Sequence, residues 1–371
     1  MNTCVTNEQK IKTPRRLRKI SDLVAHDLLP ESAVVDLRGV EQAFDIGISD
    51  HVRVLLSGIE NPESDPVGRQ YIPSAKELDV KPHEEADPIS DNLYSPVSGI
   101  VHRYPDRVLF KVTNVCAVYC RYCFRREMIG AGAEHLSEQD FDKAIEYIRD
   151  HKEIWEVILT GGDPLILSPR RLEKTIRLLN DIDHVQSIRI HSRVPIADPA
   201  KIDDTLLAVL KQSRLGLHVV VHINHAKEMT ASVKSALQNL RMANCSLYAQ
   251  SVLLKGVNDN VEALEGLFKT LIAHHVKPYY LHHLDRAKGT SHFHVPIERG
   301  KSMMADLQGR ISGLCLPKYM LDIPGGHGKI PISEDYVRAL SPHIYGVEDY
   351  QGCDHLYFDR GPETNNQGEG A

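Results

Sequence analysis

From Val108 onward, short apolar runs alternate with amphipathic stretches, and this alternation restricts the fold more than any other feature of the chain. Runs of strand length fall at Val108–Val115, Glu156–Leu159, Ser187–His191, His218–His222, Leu247–Leu254 and Lys277–His282. Stretches of helical spacing follow them at Ser137–Asp150, Pro169–Asn180, Asp203–Lys211, Ala231–Ala243, Val261–His274 and Pro296–Ile311. Ser137 followed by Glu138 and Asp140 is a good opening for the first of these helices, because a serine hydroxyl can accept from a first-turn amide. Strands that are each followed by a helix build a parallel sheet that curls on itself. The expected class is therefore α/β, a partial (β/α)6 barrel of TIM-like form. In such barrels the chemistry sits at the C-terminal ends of the strands. Polar groups gather there: Gly161-Gly162-Asp163, His191-Ser192-Arg193, His222-Ile223-Asn224-His225 and Asp285.

The barrel does not account for the whole chain. Residues 1–100 read as an N-terminal helical extension, with apolar spacing at Ile20–Asp27 and Val40–Phe44. A stretch rich in Pro, Asp and Glu follows from Asn61 to Pro96, and no chemical motif precedes His102. Residues 101–335 carry the barrel and its site. Residues 336–371 form a C-terminal extension, ending in a polar tail from Asp359 to Ala371 that is expected to be disordered. A basic run, Lys10 to Lys19, lacks the apolar segment of a secretory signal and reads as a solvated arm, which points to a cytoplasmic protein. No apolar run approaches the roughly 20 residues of a membrane span. The net charge of −6 argues against nucleic acid as a partner.

Of the seven cysteines, three crowd into Cys116-Ala-Val-Tyr-Cys120-Arg-Tyr-Cys123, directly after the first strand. An odd count with this crowding is not a disulfide framework. Three thiolates on one loop can hold three irons of a [4Fe-4S] cluster and leave the fourth iron open for another ligand. Structural zinc prefers four closed ligands, and no fourth Cys or His stands nearby at the usual spacing. A chance grouping of buried cysteines is the remaining reading.

This loop is similar to that of the radical S-adenosylmethionine enzymes. Together with His102-Arg-Tyr-Pro-Asp-Arg-Val-Leu, Phe124-Arg125-Arg126 and Pro324-Gly-Gly-His-Gly-Lys329, it resembles the lysine 2,3-aminomutase family over about residues 85–335. The resemblance implies three cofactors: a [4Fe-4S] cluster on Cys116, Cys120 and Cys123, S-adenosyl-L-methionine, and pyridoxal 5'-phosphate. It implies that Gly161, Gly162, Asp163, His222 and Gln250 lie against S-adenosylmethionine, although a Gly-Gly-Asp alone is an ordinary turn. Lys329 is then the amine that anchors the pyridoxal aldehyde, among glycines that give it a flexible backbone. The motif alone could also be an anion-binding turn, and it lacks the spacing of a nucleoside-triphosphate loop. Arg103 and Arg107 fall on the pyridoxal cofactor, with Arg193 as a further candidate for its phosphate; guanidinium suits phosphate because its fork donates twice.

For the substrate, the resemblance places Arg125 on the α-carboxylate and Asp285 and Asp322 on the distal ammonium of L-lysine. Two convergent carboxylates repel unless a cation joins them. The implied activity is an isomerase, an intramolecular aminotransferase that moves the amino group of lysine from C2 to C3 and yields β-lysine. The implied partners are L-lysine and an electron donor such as flavodoxin or ferredoxin. Tyr280-Leu-His282-His283-Leu-Asp285 departs from the degradative branch, which has Tyr at the place of His282, and looks more like the branch that supplies (R)-β-lysine for elongation factor P. That branch lacks the Pro-Gly-Gly-x-Gly-Lys form found here. The degradative branch also binds zinc across a subunit interface through C-terminal cysteines. This chain offers only Cys353 there, so no zinc is expected, and a homo-oligomer stays open. A non-catalytic iron–sulfur or zinc protein is the rival from another class, and it gives no joint use to Lys329, Asp285 and Asp322.

Overall fold

The computed structural model describes residues 16–130, 132–333 and 335–359. Among these, nine strands form one sheet. Seven run parallel in chain order: Arg107–Thr113, Glu156–Gly161, Ser187–Ser192, Gly216–His222, Ser246–Val252, Lys277–His282 and Lys318–Asp322. Antiparallel strands flank them at both edges, Ile100–Tyr104 and Lys329–Pro331. The six expected strands are all present; the seventh parallel strand and the two edge strands are additions. Lys318–Asp322 was hidden because it is short and opens on an exposed lysine, and it is held by its neighbour Lys277–His282. The two edges do not pair, so the barrel is partial. The Tyr104 hydroxyl spans the gap and accepts from the Lys329 amide at 2.9 Å.

The helices Glu138–Asp150, Pro169–Asn180, Asp204–Leu210, Ala231–Met242 and Val261–Ala273 begin at Ser137, Ser168, Asp203, Thr230 and Asn260. Each of these side chains accepts from a first-turn amide. Glu138–Asp150 buries Phe141, Ala144, Ile145 and Ile148, one stripe at helical spacing. Along the strands the period is two. Val157 and Leu159, Ile188 and Ile190, and Val219 and Val221 pack outward beneath the helices. Ile158 and Thr160, Arg189 and His191, and His222 face the interior. Because half of each strand looks inward, the barrel holds a cavity in place of a second core.

The N-terminal extension carries short helices, Ile20–Ala25, Ala33–Asp36, Arg38–Ala43 and Asp50–Leu56, around an apolar core of its own. That core includes Val118 of the cysteine loop and Ala197 of the barrel, so the extension is built onto the site. The basic run is not simply a solvated arm. Lys10 to Arg15 lie outside the described residues, but Arg16 is half-buried and donates to the Cys116 carbonyl at 2.8 Å. Beyond the barrel, Val337–Ser341, Ile344–Glu348 and Asp354–Phe358 form a small antiparallel sheet where the sequence offered no clear order. The expected tail falls outside the described residues after Asp359. No helix among the described residues is long and apolar enough to cross a membrane.

Candidate active site

All fifteen residues chosen from the sequence line one cavity of about 540 Å³ inside the partial barrel. That is within the roughly 300–1,000 Å³ of small-molecule sites. At its upper end lie Cys116, Cys120 and Cys123, none of them in a disulfide. Burial pushes the three thiols up, Cys123 to about 11; the charge of Asp163 adds to it at Cys116, and that of Cys120 at Cys123. Buried thiols of this kind ionise when a metal takes the proton's place, so the donor set fits an iron–sulfur cluster.

The loop that carries the thiols is braced from the extension. Glu77, fully buried, accepts from Arg121 Nε at 3.0 Å and from its Nη2 at 2.5 Å, and it also pairs with Arg126. Arg121 and Arg126 stand on either side of Cys123, so one carboxylate holds the end of the loop from both directions. The Gly161 and Gly162 backbone lies directly under the same segment. A Cβ on Gly162 would stand 2.3 Å from the Val115 carbonyl, and one on Gly161 would stand 2.3 Å from the Thr113 carbonyl. Close packing of protein backbone is therefore what requires these glycines. Asp163 is fully engaged, accepting from Ser192 Oγ at 2.7 Å and from the Leu165, Arg193 and Val194 amides.

His222 and Gln250 are register partners on adjacent strands, 2.5 Å apart at Nε2. Burial, then the charge of Arg193, holds the His222 imidazole down at about 3, so it is neutral at working pH. Arg193 lies in the wall with its guanidinium already committed. It donates to Glu228 at 2.6 Å, Gln70 at 2.7 Å, Tyr71 Oη at 2.6 Å and the His222 carbonyl at 3.2 Å. A phosphate at Arg193 would compete with a buried carboxylate.

At the other side, Asp322 and Lys329 face each other across the antiparallel hairpin Lys318–Asp322 and Lys329–Pro331. Gly325, Gly326 and Gly328 all have positive φ, at 83°, 79° and 93°. They shape the tight turn, which is a stronger demand for glycine than mobility. Lys329 Nζ pairs with Asp322 Oδ2, and Asp322 Oδ1 is buried with no partner. Asp285 opens into the same space, its carboxyl raised to about 7 by burial and then by the charge of Asp322. His282 lies 3.7 Å from Asp322 and is held neutral by burial and by Lys329.

Arg103 and Arg125 meet at Asp91, a residue the sequence reading passed over. Asp91 pairs with Arg125 at 2.8 Å and with Arg103 at 3.3 Å, and Arg103 Nε remains a buried donor with no partner. Arg107 sits at the rim, stacked 3.9 Å over the Tyr104 ring and paired with Asp106. Thr160, which accepts from Arg125 at 3.2 Å, was also missed. Its place immediately before Gly161-Gly162 was the available signal. Asp91 offered none, because it stands in an irregular polar segment with no periodicity.

Residues 110–267 match the model of the radical SAM superfamily. Over 322 residues the chain is 38% identical to the L-lysine 2,3-aminomutase of Methanococcus maripaludis, covering 87% of this chain and 74% of that protein. The chain belongs to the L-lysine 2,3-aminomutase family. The family's enzyme from Acetoanaerobium sticklandii is 36% identical over 350 residues, which is 93% of this chain and 83% of the relative. That from Clostridium subterminale is 39% identical over 292 residues, 79% and 70% of the two chains.

Proposed function

We propose that the protein is a radical S-adenosylmethionine and pyridoxal-phosphate-dependent isomerase that converts L-lysine to β-lysine by moving the amino group from C2 to C3. One observation carries this reading: the cysteine loop, Lys329 and the Asp285–Asp322 pair all open into a single cavity. When bound, the cluster with S-adenosylmethionine would supply abstraction of a hydrogen atom, and pyridoxal phosphate would supply a π-system that takes up the unpaired electron while the nitrogen migrates.

The chain's own residues bind and orient. Cys116, Cys120 and Cys123 would hold the iron–sulfur cluster through three of its irons. His222 and Gln250 present neutral polar groups on the cluster side, where an adenosyl group can be hydrogen-bonded without competing charge. Gly161, Gly162 and Asp163 keep the cysteine loop at its height over the strands. Lys329 is the cofactor anchor; its partner Asp322 holds the amine in place on the hairpin. Arg103, with an unused donor, and Arg107 at the rim suit the cofactor's phosphate. Arg125, clamped on one edge by Asp91, presents its remaining N–H groups to the α-carboxylate. Asp285 and Asp322 take the distal ammonium, and their mutual repulsion falls when a cation enters between them. An acidic substrate side chain would meet two carboxylates, which selects lysine over glutamate. The reading also requires a one-electron donor of the flavodoxin or ferredoxin class and a reducing compartment, the cytoplasm.

The test is anaerobic. The protein is reconstituted with iron and sulfide, and supplied with dithionite, S-adenosylmethionine, pyridoxal phosphate and L-lysine; the products are resolved on a chiral column. β-Lysine is the expected product, and its handedness separates degradation from supply of elongation factor P. Accumulation of 5'-deoxyadenosine with unchanged lysine would overturn the substrate assignment.

A further inference from the structure

Asp91 is a buried carboxylate that the established chemistry leaves without a task. Ser90, with φ 52°, turns the chain so that Asp91 opens the short turn Asp91–Tyr94, and the Asp91 amide is tied back to Asp87 Oδ1 at 2.9 Å. Its side chain is 1% exposed. The two oxygens are divided between two arginines. Oδ2 accepts from Arg125 Nε at 3.1 Å and Nη2 at 2.8 Å, while Oδ1 lies 3.3 Å from Arg103 Nη2. Both guanidiniums are pinned elsewhere as well: Arg125 Nη1 donates to Thr160 Oγ1, while Arg103 Nη2 also donates to the Ile89 carbonyl at 2.5 Å and the group lies over the face of Tyr94. Lys111 adds a third positive charge close to the same carboxylate. The group thus holds more positive charge than Asp91 cancels, as a site awaiting anions should. Two buried guanidiniums without a shared anion would repel and turn away from each other.

We infer that Asp91 is a positioning residue that holds Arg103 and Arg125 as one rigid unit, so that the cofactor's phosphate and the substrate's α-carboxylate are read by a single preset pair of forks. This inference rests on the proposed function and deepens it. Because one carboxylate serves both arginines, disturbing either arginine also disturbs the other's ligand. A residue that merely supports the fold would lower stability without distinguishing ligands that have a carboxylate from those that lack one.

The test uses the reconstituted full chain. Pyridoxal phosphate is titrated by visible absorbance, with iron content and melting temperature as controls, and L-lysine is compared with 1,5-diaminopentane, which lacks the carboxylate. In Asp91→Asn, pyridoxal phosphate affinity and the KM for lysine are each expected to worsen by about tenfold, the loss of a charged hydrogen bond. Inhibition by 1,5-diaminopentane should change by less than about threefold, and Asp91→Glu should recover part of the loss. Equal effects on lysine and the diamine, or none on either, overturn the inference. If Asp91→Asn does not fold, Arg125→Lys decides: it should weaken pyridoxal phosphate binding by several-fold through Asp91, and unchanged cofactor affinity overturns the inference. A wild-type protein that takes up no pyridoxal phosphate overturns the proposed function as well, whereas normal wild-type behaviour with an unaffected Asp91→Asn overturns this inference alone.

Discussion

The Asp285 carboxyl is raised to about 7 by burial and by Asp322, so under the proposed role as ammonium ligand substrate binding depends on pH. Its folded value lies above the ordinary value of about 4, so the ligand-free fold favours the protonated form. That contribution is fully present at low pH and is lost as pH rises through about 7. Asp285→Asn should therefore raise the melting temperature of the ligand-free protein at pH 8, with the advantage shrinking as pH falls toward about 4. A substrate ammonium needs the ionised carboxylate, so lysine affinity should rise between about pH 6 and pH 8 in the wild type and stay flat in Asp285→Asn. Calorimetric titration across that window measures both slopes, and a wild-type affinity independent of pH would rule out Asp285 as a cation ligand. At this scale the sequence, through its motifs and the family they resemble, picked out side chains that the fold brings to one cavity. It did not tell which were already engaged. Arg193 and Arg125 look alike in the chain, yet one is held by Glu228, Gln70 and Tyr71, and the other keeps donors for a ligand.

The cysteine loop is the element on which the site depends, and it is held from two directions. From the extension comes Glu77, whose removal in Glu77→Ala would leave Arg121 and Arg126 buried without their anion. The expected cost is about 3–5 kcal/mol in chemical denaturation, because an uncompensated buried charge is left behind. Iron content per chain should fall with it. From below come the two glycines. Gly162→Ala places a Cβ 2.3 Å from a backbone carbonyl that cannot move without displacing the loop. The barrel should keep its circular dichroism spectrum while iron loading drops; full loading in this variant would mean that the loop tolerates a shift. The strands and helices themselves were legible because the period of two and the capped, amphipathic helices are local properties. The edge strand Lys329–Pro331 was not, since three residues acquire strand geometry only by pairing with Lys318–Asp322.

Over the whole molecule, the extension and the barrel are one functional unit, and the C-terminal sheet stands apart. Gln70, Tyr71, Glu77 and Asp91 all come from the first hundred residues, and all reach arginines of the barrel. The outer strands Val337–Ser341 and Asp354–Phe358 are exposed along their length. A chain ending after Tyr336 should keep its iron content and its pyridoxal phosphate absorbance, measured after anaerobic reconstitution; loss of both would show that the sheet supports the site. The sequence by itself determined the barrel's class and the crowded cysteine loop, because these follow from periodicity and residue type; the cofactors and the substrate came from the resemblance to the family. Only the tertiary structure decided that an acidic, Pro-containing segment with no motif would supply the carboxylates that orient the site's arginines. Such pairings join residues far apart in the chain, as with Glu77 and Arg121, and nothing in local composition records which distant partner a buried charge will find.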